Sequence, residues 1–143
     1  MNVARILKDK GRSVVTLPPD TSVRVVVETL AKERIGALVI CETDRRVAGI
    51  VSERDIVRML ASHGAPILER PVSQVMTKDV RTCTERDTVD WLMEEMTSHR
   101  FRHMPVVADG KLIGVVSIGD VVKQSLAVAA LEAASMREYI ATG

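Results

Sequence analysis

The chain has few aromatic residues: Phe101, Trp91 and Tyr139 make up its 2%. Stacking platforms for single-stranded nucleic acid are therefore almost absent. Charge of one sign is also lacking. The formal net charge of +1 argues against a broad nucleic-acid surface, but it leaves room for a few arginines focused on one small anion. Cys41 and Cys83 are the only cysteines, too few for a disulfide scaffold, and both read as reduced thiols. Arg81 and Arg86 stand near Cys83 and would lower its pKa, yet nothing orients a base toward it. No apolar run reaches the roughly 18 residues of a membrane span. The opening MNVARILKDKG is charged throughout, unlike a secretory leader, so the cytoplasm is the expected setting. There is no Walker loop and no dinucleotide glycine fingerprint. His63, His99 and His103 lack zinc-type spacing, so no metal is expected. With no acid–base pair in an obvious shared cleft, an enzyme is not expected either.

Hydrophobic residues at 46% and charged residues at 27% describe a soluble globular chain, and an internal repeat organises it. TSVRVVVETLAKERI aligns with DTVDWLMEEMTSHRF at an offset of 66; after one residue is lost from a turn, GIVSERD (Gly49 to Asp55) aligns with GVVSIGD (Gly114 to Asp120) at 65. Each unit reads as strand, helix, strand, strand, helix. In the second, Val89, Leu92, Met93 and Met96 form an apolar stripe at helical spacing. Thr21 and Asp87 are the expected N-caps, with Asp90 at N3 of the second helix. Asp109-Gly110 signals a two-residue hairpin turn. The expected organisation is a leader helix or linker over 1–13, a first repeat over 14–62, a linker over 63–79, a second repeat over 80–125 and a C-terminal helix over 126–143. VSQVMT at the end of the linker resembles the chain's own start, VARILK. One unit alone would bury little; two packed face to face make a pseudo-two-fold α/β (α+β) body with clefts between the copies. The alanine-rich tail is helix-prone and would pack on this body or on a second subunit.

The repeated Ser-x-x-Asp has two readings. As a capping box, each Ser hydroxyl caps its helix and each Asp returns a bond to the Ser N–H, which accounts for both residues. As a binding feature, the strand-to-helix step turns free N–H groups and a carboxylate toward a cleft. Asp55 or Asp120 would then accept the hydroxyls of a ribose, with Thr16 or Thr82 adding a hydroxyl. Val14, Val80, Ile50 and Val115 would pack against a base, and Arg102, His103 and Arg54 would supply phosphate contacts. The units differ here. Arg102 and His103 align with Gly36 and Ala37, and Arg54 aligns with Gly119, so one strong site is expected rather than two equal ones.

These residues resemble the tandem cystathionine-beta-synthase (CBS) domain, the Bateman module. The family's Gly-h-h-Ser/Thr-x-x-Asp stands at Gly49–Asp55 and Gly114–Asp120, and its apolar Pro-Val-Val strand at Phe101–Val107. The chain is most similar to small stand-alone CBS-pair proteins, some named for inosine monophosphate dehydrogenase, whose catalytic barrel has no counterpart here. The resemblance implies a non-enzymatic regulatory module that binds an adenine nucleotide, AMP first, with ATP, ADP, NAD(H) and S-adenosylmethionine as further candidates. It implies Asp120, Asp55, Ser117, Thr82, Thr16, Arg102, His103, Arg54, Val80 and Val115 as ligand-binding residues, a homodimer through helical faces, and a client protein. The alternative is a ligand-independent dimeric scaffold or adaptor. Neither nucleic acid nor membrane is expected as a partner.

Overall fold

A computed structural model describes residues 1–142; Gly143, the last residue of the expected C-terminal helix, lies outside the described residues. Five helices and five strands are present among them: α1 (Val3–Lys10), β1 (Thr16–Leu17), α2 (Val23–Glu33), β2 (Ala37–Cys41), β3 (Val47–Ser52), α3 (Glu53–His63), α4 (Val89–His99), β4 (His103–Ala108), β5 (Lys111–Ser117) and α5 (Ile118–Thr142). Two 3-10 turns, Ala65–Glu69 and Val72–Gln74, lie in the connection between the units. This is the doubled strand-helix-strand-strand-helix order read from the repeat.

In the first unit β1 runs parallel to β2, and β2 runs antiparallel to β3. The second unit has β4 antiparallel to β5, and its first strand is reduced to one parallel bridge between Cys83 and Val106. That bridge is the repeat-equivalent of the Leu17–Ile40 pairing. Asp109 and Gly110 close the β4–β5 hairpin with φ of 51° and 76°, the two positive values of a type I′ turn. Both remaining helix starts differ from expectation by one residue. Ser22, not Thr21, accepts from the Val25 N–H, and Thr88, not Asp87, accepts from the Trp91 N–H. Asp87 instead accepts from the Thr84 N–H, closing the preceding turn, and Asp90 stands one place earlier than N3.

The leader segments are exchanged between the units. Val3, Ile6 and Leu7 of α1 are buried in the second unit's core with Cys83, Leu92, Met104, Val116 and Val121. Val72 is buried in the first unit's core, with Val75 and Met76 packed against it, beside Val26, Leu38, Ile40 and Ile56. The backbone follows the same symmetry. The Val3 N–H donates to Asp87 O and the Val89 N–H to Met1 O, while the Val72 N–H donates to Thr21 O and the Val23 N–H to Arg70 O. The repeated glycines serve this exchange. A Cβ on Gly114 would lie 2.7 Å from Leu7 Cδ2, and one on Gly49 would lie 2.5 Å from Met76 Sδ and 2.8 Å from Thr77 O. Each bare Cα thus admits a side chain from a leader, a close approach that any other residue would block.

The two sheets meet through a third cluster in which Val39, Cys41 and Leu112 are buried and Val14, Val47, Ile50 and Val115 pack around them. The Leu112 N–H donates to Arg45 O across this seam at 3.0 Å. α5 packs on the body through its first turns, where buried Gln124 donates to Asp9 of α1.

Candidate functional site

Both capping boxes form. The Ser52 N–H donates to Asp55 Oδ2 at 2.9 Å and the Asp55 N–H to Ser52 Oγ at 3.2 Å; the same distances recur for Ser117 and Asp120. The first helical N–H groups are taken as well, Glu53 N by Gly36 O and Ile118 N by Arg102 O, so the first and third N–H groups at each step are not free as expected. The carbonyl preceding each central strand reaches the helix start because β2–β3 and β4–β5 are tight antiparallel pairs.

The second unit adds a partner that the first lacks. Lys10 Nζ, at the last turn of α1, lies 2.7 Å from Asp120 Oδ2 and 3.0 Å from Val115 O. The Ser117 hydroxyl donates to the same Oδ2 at 3.0 Å. Three donors therefore converge on one carboxylate oxygen, yet the Asp120 side chain is still 23% exposed, so no wall of side chains closes it off. Burial is the strongest influence on this carboxyl and acts upward. The Lys10 hydrogen bond, the Ser117 N–H, the Lys10 charge and the Ser117 hydroxyl outweigh it, and the pKa lies below the ordinary value.

His103 is half-buried beside this group, paired in register with Ser117. Burial pushes its pKa down, and the positive charges of Lys10 and Arg102 push the same way; Asp120 and Glu53 oppose them without reversing the direction. The first unit reaches this place: a Cβ on Gly36 would stand 3.5 Å from Glu53 Oε1 and 3.7 Å from His103 Cε1. Lys10, Asp120, Ser117 and His103 thus gather where Gly36 and Glu53 of the other unit approach, with exposed Arg102 one residue away.

The other sequence-designated residues are scattered. Val115, with Val14 and Ile50, belongs to the apolar cluster between the sheets, but Val80, half-buried, is not among its members. Thr16 lines an open pocket of about 310 Å³ with Val14, Leu17, Pro18, Cys41, Glu42, Thr43 and Arg45, at the small end for a ligand site. Neither this pocket nor a second one along Glu42–Ala48 is lined by Asp55 or Asp120. Thr82 is half-buried next to the Cys83 bridge; Asp55 is half-buried in its capping box, and Arg54 is exposed. Lys10 and Glu53 were missed by sequence reasoning. Lys10 sits in the leader that precedes the first unit, and only the exchange of leaders carries it to the second.

Cys83 does not have the lowered pKa expected from Arg81 and Arg86. Burial pushes it up to about 12, helped by Asp87, and Arg81 is drawn away to Glu95. Among the described residues no three His, Cys, Asp or Glu side chains group to hold a metal ion. Nor is any helix among them long and apolar enough to cross a membrane.

The CBS domain model matches residues 5–62 and 72–127. The chain belongs to the CBS-domain family. Its two CBS units form a Bateman module, a regulatory and non-catalytic architecture. The crystal structure of a CBS-domain containing protein from Agrobacterium tumefaciens superposes with a TM-score of 0.84 at 47% identity, covering 87% of this chain and 99% of that one. A CBS domain protein from Pyrobaculum aerophilum, solved in complex with AMP, superposes at 0.75 with 34% identity over 84% of this chain and 89% of that one. A CBS domain pair solved with 5-methylthioadenosine and S-adenosyl-L-methionine superposes at 0.77 with 25% identity, covering 87% and 94%. CBS pairs of this kind therefore include binders of adenosyl ligands. Among its curated relatives the chain spans from 20% of one to 68% of another.

Proposed function

We propose that this CBS pair acts in the cytoplasm as a sensor of an adenine nucleotide, AMP first, held in the cleft where Asp120 and His103 of the second unit meet Gly36 and Glu53 of the first. The observation that carries this reading is the Lys10–Asp120 pair at 2.7 Å on a carboxylate that is still 23% exposed. It supplies an acceptor for a ribose diol and, one hydrogen bond away, a cation for a phosphate. Val115, Val14 and Ile50 offer aliphatic surface for the base. Thr16, Thr82 and Ser117 add hydroxyls, and Arg102 and His103 stand on the phosphate side. Val80 and Arg54, the remaining residues of the expected set, are assigned by this reading to the base and to the phosphate. Asp55 would serve a weaker second site, because Gly36 and Ala37 replace Arg102 and His103 there.

The ribose competes with Lys10 for Asp120, so binding transfers the ammonium from carboxylate to phosphate. α1 is held in the second unit's core, and the movement is confined to the Lys10 side chain and the turn at Gly11, whose φ is 95°. That turn leads into β1 of the first unit. A ligand that prefers the transferred arrangement shifts the relation of the two units, and a client protein reads the shift.

Mass spectrometry of small molecules released from freshly purified protein tests this reading. An adenosyl compound in molar proportion is the expected result. Its absence, together with no thermal shift from AMP, ATP, NADH or S-adenosylmethionine at about millimolar concentration, a level at which binding is worth only about 4 kcal/mol, would contradict it. The complete capping boxes favour a second reading, a ligand-independent dimeric scaffold. Capture of a client unaffected by Asp120→Ala would select it.

A further inference from the structure

α5 continues well past the body. Val121 and Gln124 are buried and Ser125 and Val128 half-buried, but every residue from Ala129 to Ala141 is exposed. A projection of this length, about 20 Å, is not held in water by helix propensity alone. Along it Val122, Leu126, Ala129, Ala133, Met136 and Ile140 recur in alternating steps of four and three, the seven-residue repeat of a coiled-coil seam. The four larger members are 39%, 65%, 61% and 71% exposed in chain order. At about 100° per residue the seam lies roughly a quarter turn from the side that packs on the body, and from Ala129 onward a second helix laid along it would face exposed residues only.

We propose that α5 pairs in parallel with α5 of a second copy of this chain. The charges beside the seam select both the occupant and its direction. One flank carries Lys123, Ala130 and Arg137, and the other carries Ser125, Glu132 and Tyr139. In a parallel pair Glu132 of each copy faces Arg137 of the other, twice by symmetry. An antiparallel pair sets the flank of Lys123 and Arg137 against itself and Glu132 against its own kind. Ala129 and Ala133 at the middle of the seam let the two backbones come close. Leu131, 67% exposed, lies on the opposite side of the helix and takes no part. The pairing does not depend on nucleotide binding.

Sedimentation of the full chain tests the pairing, with circular dichroism to confirm folding. The wild type sediments as a dimer; Leu126→Glu and Ala133→Glu weaken association at least tenfold, and Leu131→Glu leaves it unchanged. Glu132→Arg weakens it, and adding Arg137→Glu restores it. On oxidation Met136→Cys cross-links to itself. A monomeric wild type, or a dimer indifferent to Leu126→Glu, overturns the proposal. So does cross-linking of a Leu126→Cys and Met136→Cys mixture without self-linking of Met136→Cys.

Discussion

Leu7 packs against the bare Cα of Gly114, where an added Cβ would come within 2.7 Å of it. The same relation holds between Met76 and Gly49. These two contacts explain why a glycine opens both copies of the repeated motif: each receives the leader that precedes the other unit. Overpacking a closed core typically costs about 1–3 kcal/mol. Gly49→Ala is expected to cost more than Gly114→Ala, because Thr77 O, a backbone atom, also stands in the way. Leu7→Ala should lessen the added cost of Gly114→Ala. Denaturant unfolding of the singles and the double checks the order and the rescue.

The Lys10–Asp120 pair is partly exposed and is expected to contribute no more than about 1 kcal/mol. The folded Asp120 pKa lies below its unfolded value, so its contribution is present above the ordinary carboxylate range and lost as the pH falls through the folded pKa. Lys10→Met should therefore lower stability slightly at neutral pH. The difference from wild type should vanish once acid has protonated Asp120. Urea midpoints measured across pH give the comparison.

His103 behaves with the opposite chemistry and the same direction. Its folded pKa is below the ordinary 6.5, so the unfolded chain binds more protons in the window between the two. Stability rises with pH through that window and is lost on acidification from about 6.5 downward. His103→Gln removes this dependence. The wild type should lose stability relative to His103→Gln as the pH drops, and equal slopes for the two would show that the imidazole is not held neutral by burial.

Both thiols should be inert. Cys83 is 2% exposed with its pKa pushed up to about 12, and burial raises Cys41 as well. Thiolate is the reactive form. A disulfide reagent at mildly alkaline pH should label neither cysteine in the native protein and both in denaturant.

Much of this arrangement was legible in the residues. The order of elements, the turn at Asp109-Gly110 and the capping boxes follow from local chemistry, and local chemistry is what a sequence carries. The N-caps slipped by one residue because Thr21-Ser22 and Asp87-Thr88 are adjacent pairs of competent caps, and only the position of the first unpaired N–H chooses between them. VARILK and VSQVMT were recognisable as equivalents, but their likeness says nothing about which core each enters. That choice depends on contacts between residues distant in the sequence, and for the first leader very distant, as with Lys10 and Asp120, whose separation is 110. Lys10 was therefore invisible as a site residue, and Cys83 was misjudged because its burial outweighs any nearby cation.

Titration calorimetry of AMP into the wild type and into Asp120→Asn tests the nucleotide reading most directly. The account predicts saturable binding to the wild type and at least a tenfold weaker affinity for Asp120→Asn, with the fold intact by circular dichroism. Equal affinity for the two proteins, or no heat from either AMP or the other adenosyl ligands, would contradict it.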